Sequence, residues 1–94
     1  MRLEDLVGNT PLIKIGDRLY AKFETYNPSG SIKDRIGCYI LKKAEERDDL
    51  KPGDTIVEAT SGNTGIAVAM FGAHKGYKVI IVMPCNMSEE RKKM

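Results

Sequence analysis

The sequence carries almost no charge excess. Its 15 Lys and Arg against 13 Asp and Glu leave a formal net charge of +2, too weak to point to a nucleic acid or a membrane surface as partner. Cysteine is scarce. Cys38 and Cys85 are the only two, and they lie too far apart for a CxxC or metal-ligand spacing, so they read as free thiols in a reducing cytosol. No apolar run approaches the length of a membrane span, and residues 1–5 contain no apolar signal-peptide core. Repeats and low-complexity tracts are lacking. What remains is ordinary: 94 residues, 41% hydrophobic and 30% charged, enough for one small globular domain.

Chemistry is concentrated in two stretches. The first is Asn27-Pro28-Ser29-Gly30-Ser31-Ile32-Lys33-Asp34-Arg35. Asn27-Pro28 ends a preceding strand, because proline lacks a backbone donor and restrains its neighbour. Ser31 with Asp34 three residues on reads as a helix N-cap with a variant capping box. Lys33 then falls in the first helical turn, where the positive end of the helix disfavours a cation. Schiff-base chemistry needs a neutral lysine amine, since only that form attacks a carbonyl. A solvated surface lysine is the bland alternative.

Periodicity and turn signals along the chain place these residues in a fold. Residues 3–7 suggest a short helical turn, and residues 12–15 and 19–24 two strands joined by the Gly16-Asp17 turn. Residues 32–47 read as an amphipathic helix with Ile32, Ile36, Tyr39, Ile40 and Ala44 on one stripe. Gly37, costly in mid-helix, suggests the close approach of another backbone or a ligand. Residues 55–58 form a strand and residues 66–74 a helix apolar nearly all round, expected to pack between a sheet and another layer. Gly76 fits its left-handed end. Residues 79–83 are a continuous apolar run, as in a parallel strand buried on both faces. Pro84 ends it, and Ser88-Glu89-Glu90 opens a further helix. Helix, strand, helix, strand, helix is a doubly wound α/β pattern, and its open end suggests a truncated piece of a larger fold.

The second stretch, Thr60-Ser61-Gly62-Asn63-Thr64-Gly65, joins a predicted strand to a predicted helix. Glycines let the backbone turn its donors inward, and a helix start adds unpaired N–H groups. The stretch lacks the GK[ST] of a P-loop and the spacing of a dinucleotide fingerprint. It fits an anion cradle for a carboxylate or phosphate, and equally a tight packing turn. A lysine poised for imine chemistry, taken together with a carboxylate cradle, suits an enzyme that acts on amino acids through a carbonyl cofactor.

With both motifs in view, the sequence resembles the cysteine synthases (O-acetylserine sulfhydrylases) and the related cystathionine β-synthases, pyridoxal-phosphate enzymes of the tryptophan-synthase-β fold type, PLP fold type II. The resemblance runs through Gly8-Asn9-Thr10-Pro11-Leu12, Tyr20-Ala21-Lys22-Phe23-Glu24, the Asn27-to-Arg35 loop, Thr60 to Gly65, Gly76-Tyr77-Lys78, and Met83-Pro84 with Met87-Ser88-Glu89-Glu90-Arg91. It covers essentially the whole chain, as the N-terminal portion of such an enzyme. It implies an α/β fold with a partial doubly wound parallel sheet. Residues 1–34 would pack with the larger domain, and residues 35–94 would begin the smaller one.

The resemblance also implies roles. Lys33 would bind pyridoxal 5'-phosphate covalently and then serve as base and acid at the substrate α-carbon. Asn63 would hydrogen-bond the cofactor's 3'-hydroxyl. Thr60, Ser61, Gly62, Asn63 and Thr64 would hold the substrate carboxylate. The reaction would be β-elimination of acetate from O-acetylserine followed by addition of sulfide to give cysteine, in a cytoplasmic enzyme that is a homodimer at full length. No metal, nucleic acid or membrane is implied. The family's glycine-rich phosphate loop and the residue facing the pyridine nitrogen do not appear before Met94, so the 94-residue chain is expected to bind the cofactor poorly and to be inactive alone. Two other readings stand beside this one: a cystathionine β-synthase-like β-replacement, and a non-catalytic anion-binding remnant.

Overall fold

A computed structural model describes residues 1–60 and 62–84. The expected helix beginning at Ser88 lies outside the described residues. A short 3₁₀ turn, Leu3–Leu6, precedes an antiparallel hairpin of β1 (Leu12–Gly16) and β2 (Leu19–Lys22). Leu12 pairs with Lys22 and Ile13 with Ala21, and the register shifts between Lys14 and Gly16, next to the turn. The second strand is shorter than the alternation suggested. Phe23 N donates back to Pro11 O at 2.9 Å, and Glu24–Tyr26 coil into a second 3₁₀ turn ahead of the Asn27-Pro28 break.

Helix α1 (Lys33–Glu46) leads to strand β3 (Thr55–Ala59), helix α2 (Asn63–His74) and strand β4 (Lys78–Val82). β3 and β4 are parallel, from Thr55 opposite Lys78 to Ala59 opposite Val82. This is one βαβ unit, with α2 as its crossover. α2 packs against both strands on one side and α1 on the other, as expected of a helix with few polar positions. Its start lies three residues earlier than expected, at Asn63. Gly76, at φ +87°, ends that turn in the left-handed conformation.

The layers approach closely because the contact residues are small. A Cβ on Gly37 of α1 would sit 3.0 Å from the Ala67 Cβ of α2 and 3.5 Å from the Val68 backbone nitrogen. The close neighbour that Gly37 suggested is therefore the α2 backbone. Gly72 lets α2 lie against Val79 and Ile56 of the sheet. Leu41, Ala67, Val68, Phe71 and Tyr77 form the buried apolar core.

Two burial expectations fail. α1 turns Asp34, Gly37 and Leu41 inward, while Ile32, Ile36, Tyr39 and Ile40 are exposed, Tyr39 by 61%. The apolar stripe is not the face that packs: α1 meets α2 where Gly37 lies against Ala67, and Asp34 is buried against Ser29 of the preceding loop. β4 is also covered on one face only, so Ile80 and Val82 are exposed. Its unbroken apolar run reflects two apolar faces, of which α2 covers one.

Candidate functional site

The Asn27-to-Arg35 loop is held from three directions. Asn27 is buried. Its Oδ1 accepts the Gly8 N–H at 2.8 Å, and its Nδ2 donates to the Glu24 carbonyl at 2.9 Å and to Glu24 Oε1 at 3.1 Å. Arg35 reaches back from α1 to the same carboxylate, with Nε 2.7 Å from Oε1 and Nη2 3.2 Å from Oε2. The Thr10 hydroxyl donates to Glu24 as well, and Lys22 Nζ donates to the Thr10 carbonyl. The Arg35 hydrogen bonds, followed by that of Thr10, hold the Glu24 carboxyl down at about 2. Gly8, at φ +82°, lies against the Arg35 guanidinium, where a Cβ would be 3.3 Å from Nη1. The hairpin, the N-terminal segment and α1 thus converge on one carboxylate.

The third hold is Asp34, which has no solvent exposure. It accepts the Ser29 N–H at 2.6 Å through Oδ2 and the Ser29 hydroxyl through Oδ1. The expected capping box therefore takes a different form. Ile32 is the N-cap and makes no side-chain cap hydrogen bond. Ser31 Oγ accepts the Lys33 N–H at 3.2 Å, and Asp34 turns to Ser29 instead of Ser31. Gly30 spans the gap at φ +94°, its N–H bonded to the Asn27 carbonyl at 2.8 Å.

Lys33 lies in the first turn of α1, as expected, as its first residue, and is half-buried. Asn63 is the first residue of α2. Gly37 and Ala67, where the helices meet, each lie four residues further on, about 6 Å along the axis. Both helices therefore begin one turn from their mutual contact.

The turn before α2 is folded onto the helix start. Thr60 N donates to the Val82 carbonyl at 3.0 Å, tying the turn to β4, and Thr60 Oγ1 accepts the Gly62 N–H at 3.3 Å. The Gly62 carbonyl accepts the amides of Gly65 and Ile66, at 3.1 and 3.3 Å. The Asn63 and Thr64 amides have no acceptor among the described residues, as the first amides of a helix do. The space where a Gly62 Cβ would project is open. Thr60, Gly62 and Thr64 are half-buried and Asn63 is exposed. Ser61 lies outside the described residues.

Sequence reasoning did not find the Thr10–Glu24–Asn27–Arg35 cluster or the Asp34–Ser29 pair. No spacing rule marks either, because their partners are brought together by the turns between them. Among the described residues no group of His, Cys, Asp and Glu could hold a metal ion, and no helix is long and apolar enough to cross a membrane.

The chain is similar to known proteins over nearly its full length. A family profile described as pyridoxal-phosphate dependent enzyme matches residues 3–94. The chain is 50% identical to cysteine synthase B of Salmonella typhimurium over 97 residues, covering 96% of this chain and 32% of that protein. It is 46% identical to a cysteine synthase of Staphylococcus aureus over 99 residues, covering 98% of this chain and 32% of that protein. Among solved structures, a hydrogen sulfide-producing enzyme of Fusobacterium nucleatum matches with a TM-score of 0.92 at 46% identity, over 98% of this chain and 32% of that one. An O-ureido-L-serine synthase matches with a TM-score of 0.92 at 44% identity, over 98% and 31%. The chain therefore spans about a third of the length of these relatives.

Proposed function

We propose, from the premise that this chain belongs to the family of pyridoxal-phosphate-dependent enzymes and has the α/β fold of their type II members, that it is the lysine-bearing N-terminal part of a cysteine synthase. The observation that carries the reading is the placement of Lys33. It is half-buried, its amine has no hydrogen-bond or ion-pair partner among the described residues, and it opens α1 one turn from the crossing with α2. These residues fit the cofactor and its substrate. A primary amine not committed to a carboxylate is what the cofactor's aldehyde requires, and the open, donor-lined start of α2 suits a carboxylate.

When bound, pyridoxal phosphate supplies the electron sink for bond changes at amino-acid carbons. Lys33 would hold it through the side-chain nitrogen and would serve as the base and acid for the proton at the substrate α-carbon. Asn63 would hydrogen-bond the cofactor's ring hydroxyl. Thr60, Ser61 and Thr64, with the Gly62 and Asn63 amides, hold the substrate carboxylate and so fix the α-carbon beside Lys33. The proposed substrates are O-acetylserine and sulfide, and the product is cysteine.

The exposed apolar faces of α1 and the β3–β4 sheet support the proposed division of the chain. Residues 1–34 would pack with a larger domain and residues 35–94 would begin a smaller one, within a dimeric cytoplasmic enzyme. Treatment with pyridoxal phosphate and cyanoborohydride, followed by peptide mapping, tests the assignment. Label is expected preferentially on Lys33, and labelling no greater than at the exposed Lys51 and Lys78 would refute it. O-acetylserine with sulfide, set against serine with homocysteine, separates cysteine synthase from cystathionine β-synthase activity in the complete enzyme.

A further inference from the structure

The carboxylate next in sequence to Lys33, that of Asp34, is fully buried and is not among the groups that would touch cofactor or substrate. Burying an ionised carboxyl is costly unless hydrogen bonds compensate, and both oxygens of Asp34 are spent on a single residue, Ser29, through its N–H and its hydroxyl. Asp34 is the second residue of α1, where a negative charge is also favoured by the helix. The bridge closes the six-residue segment from Ser29 to Asp34 into a ring containing Gly30, Ser31, Ile32 and Lys33. The Ser31 hydroxyl, inside that ring, accepts the Lys33 N–H.

We propose that Asp34 and Ser29 are positioning residues for Lys33. Their bridge fixes the rotation of the first turn of α1 and so the direction in which the lysine leaves the helix. Neighbouring helical side chains diverge by about 100°. Once Asp34 is locked onto Ser29, the Lys33 Cα–Cβ direction is set relative to the loop, and the ring geometry leaves it no alternative turn. The outer network of Glu24, Arg35 and Asn27 docks the loop as a whole. The Asp34–Ser29 bridge acts within it, on the lysine. This inference rests on the assignment of Lys33 as the cofactor-binding amine.

The test is the ratio of Lys33 to Lys51 labelling by pyridoxal phosphate and cyanoborohydride, read by mass spectrometry on folded protein. Lys51 follows α1 in an exposed turn and serves as the internal reference. Asp34→Ala is expected to lower the ratio about tenfold, the scale that small misplacements of reacting groups reach. Asp34→Asn retains an acceptor for the Ser29 N–H and a donor for its hydroxyl, and is expected to restore most of the ratio. A role confined to stability would lower the melting temperature and leave the ratio on folded protein unchanged. Should Asp34→Ala not fold, Ser29→Ala gives the same reading with a smaller fall, because the backbone N–H bond survives. A wild-type preference for Lys33 that persists in both alanine variants overturns the positioning role alone. A wild-type chain with no preference overturns the Lys33 assignment and the positioning role with it.

Discussion

Replacing Gly65 by alanine should destabilise the chain, and removing one methyl group from Thr60 should reverse the effect. A Cβ at Gly65 would come closer than 3.0 Å to Thr60 Cγ2, and within 3.5 Å of Thr60 Cβ and Oγ1. Thr60 has little freedom to retreat. It is β-branched and therefore stiff at χ1, its amide is bonded to Val82, and its hydroxyl accepts the Gly62 N–H. Forcing a methyl group into such a contact costs roughly 1–3 kcal/mol. Alanine in place of a helical glycine returns up to about 1 kcal/mol. The net expectation for Gly65→Ala is a loss of about 0–3 kcal/mol, and the crowded methyl is responsible for all of it. In the Thr60→Ser background the hydroxyl remains and Cγ2 is gone, so Gly65→Ala should become neutral or stabilising. Urea unfolding of the four proteins, followed by the helical circular-dichroism signal, gives the coupling directly. Equal effects of Gly65→Ala in the two backgrounds would refute the claim that Thr60 is packed onto the start of α2.

Two further outcomes follow from charges and surfaces. Glu24 titrates at about 2 in the folded chain against an ordinary 4.5, chiefly through the Arg35 hydrogen bonds. Its contribution to stability is therefore complete above about 4.5 and lost as pH falls toward 2. The melting temperature of Glu24→Gln should accordingly fall less steeply than wild type across that window, and parallel curves would count against the network. Ile36, Tyr39 and Ile40 of α1 are exposed by 43%, 61% and 51%, and contiguous apolar surface of this kind drives association. The isolated chain should self-associate in sedimentation velocity at micromolar concentration, and Ile40→Lys with Tyr39→Lys should shift it toward monomer.

That same exposed stripe marks where the sequence could be read and where it could not. Element order, the hairpin, the βαβ unit and the position of Lys33 at the head of a helix follow from periodicity and from Gly and Pro punctuation, which are local signals. The inward face of α1 does not. An apolar stripe indicates which side of a helix avoids water, but here the side that packs carries Gly37 and Asp34, chosen by the neighbouring Ala67 and Ser29. A buried carboxylate is invisible to hydropathy, because its burial depends on donors supplied by a turn that the sequence leaves geometrically open. The two chemical stretches could be recognised separately from their residues. How they lie relative to each other depends on helix packing, for which Gly37 is the one local hint.

The close spacing of the layers links these observations to chemistry. Gly65 admits Thr60 to the start of α2, Gly72 admits Val79 to its middle, and Gly37 admits Ala67 to α1. Each glycine removes one side-chain thickness from a contact plane, and in all three places the partner is small or β-branched and cannot fold away. Separating α1 from α2 by even a methyl group would shift the first turn of α1, which carries Lys33, relative to the first turn of α2, whereas mutations on the exposed stripe would leave the crossing as it is. Gly37→Ala should therefore reduce selective labelling of Lys33 on folded protein, while Ile40→Lys should not. The contrast depends on residue size at the crossing and owes nothing to overall hydrophobicity. The reverse pattern would mean that the crossing of α1 and α2 does not govern the site.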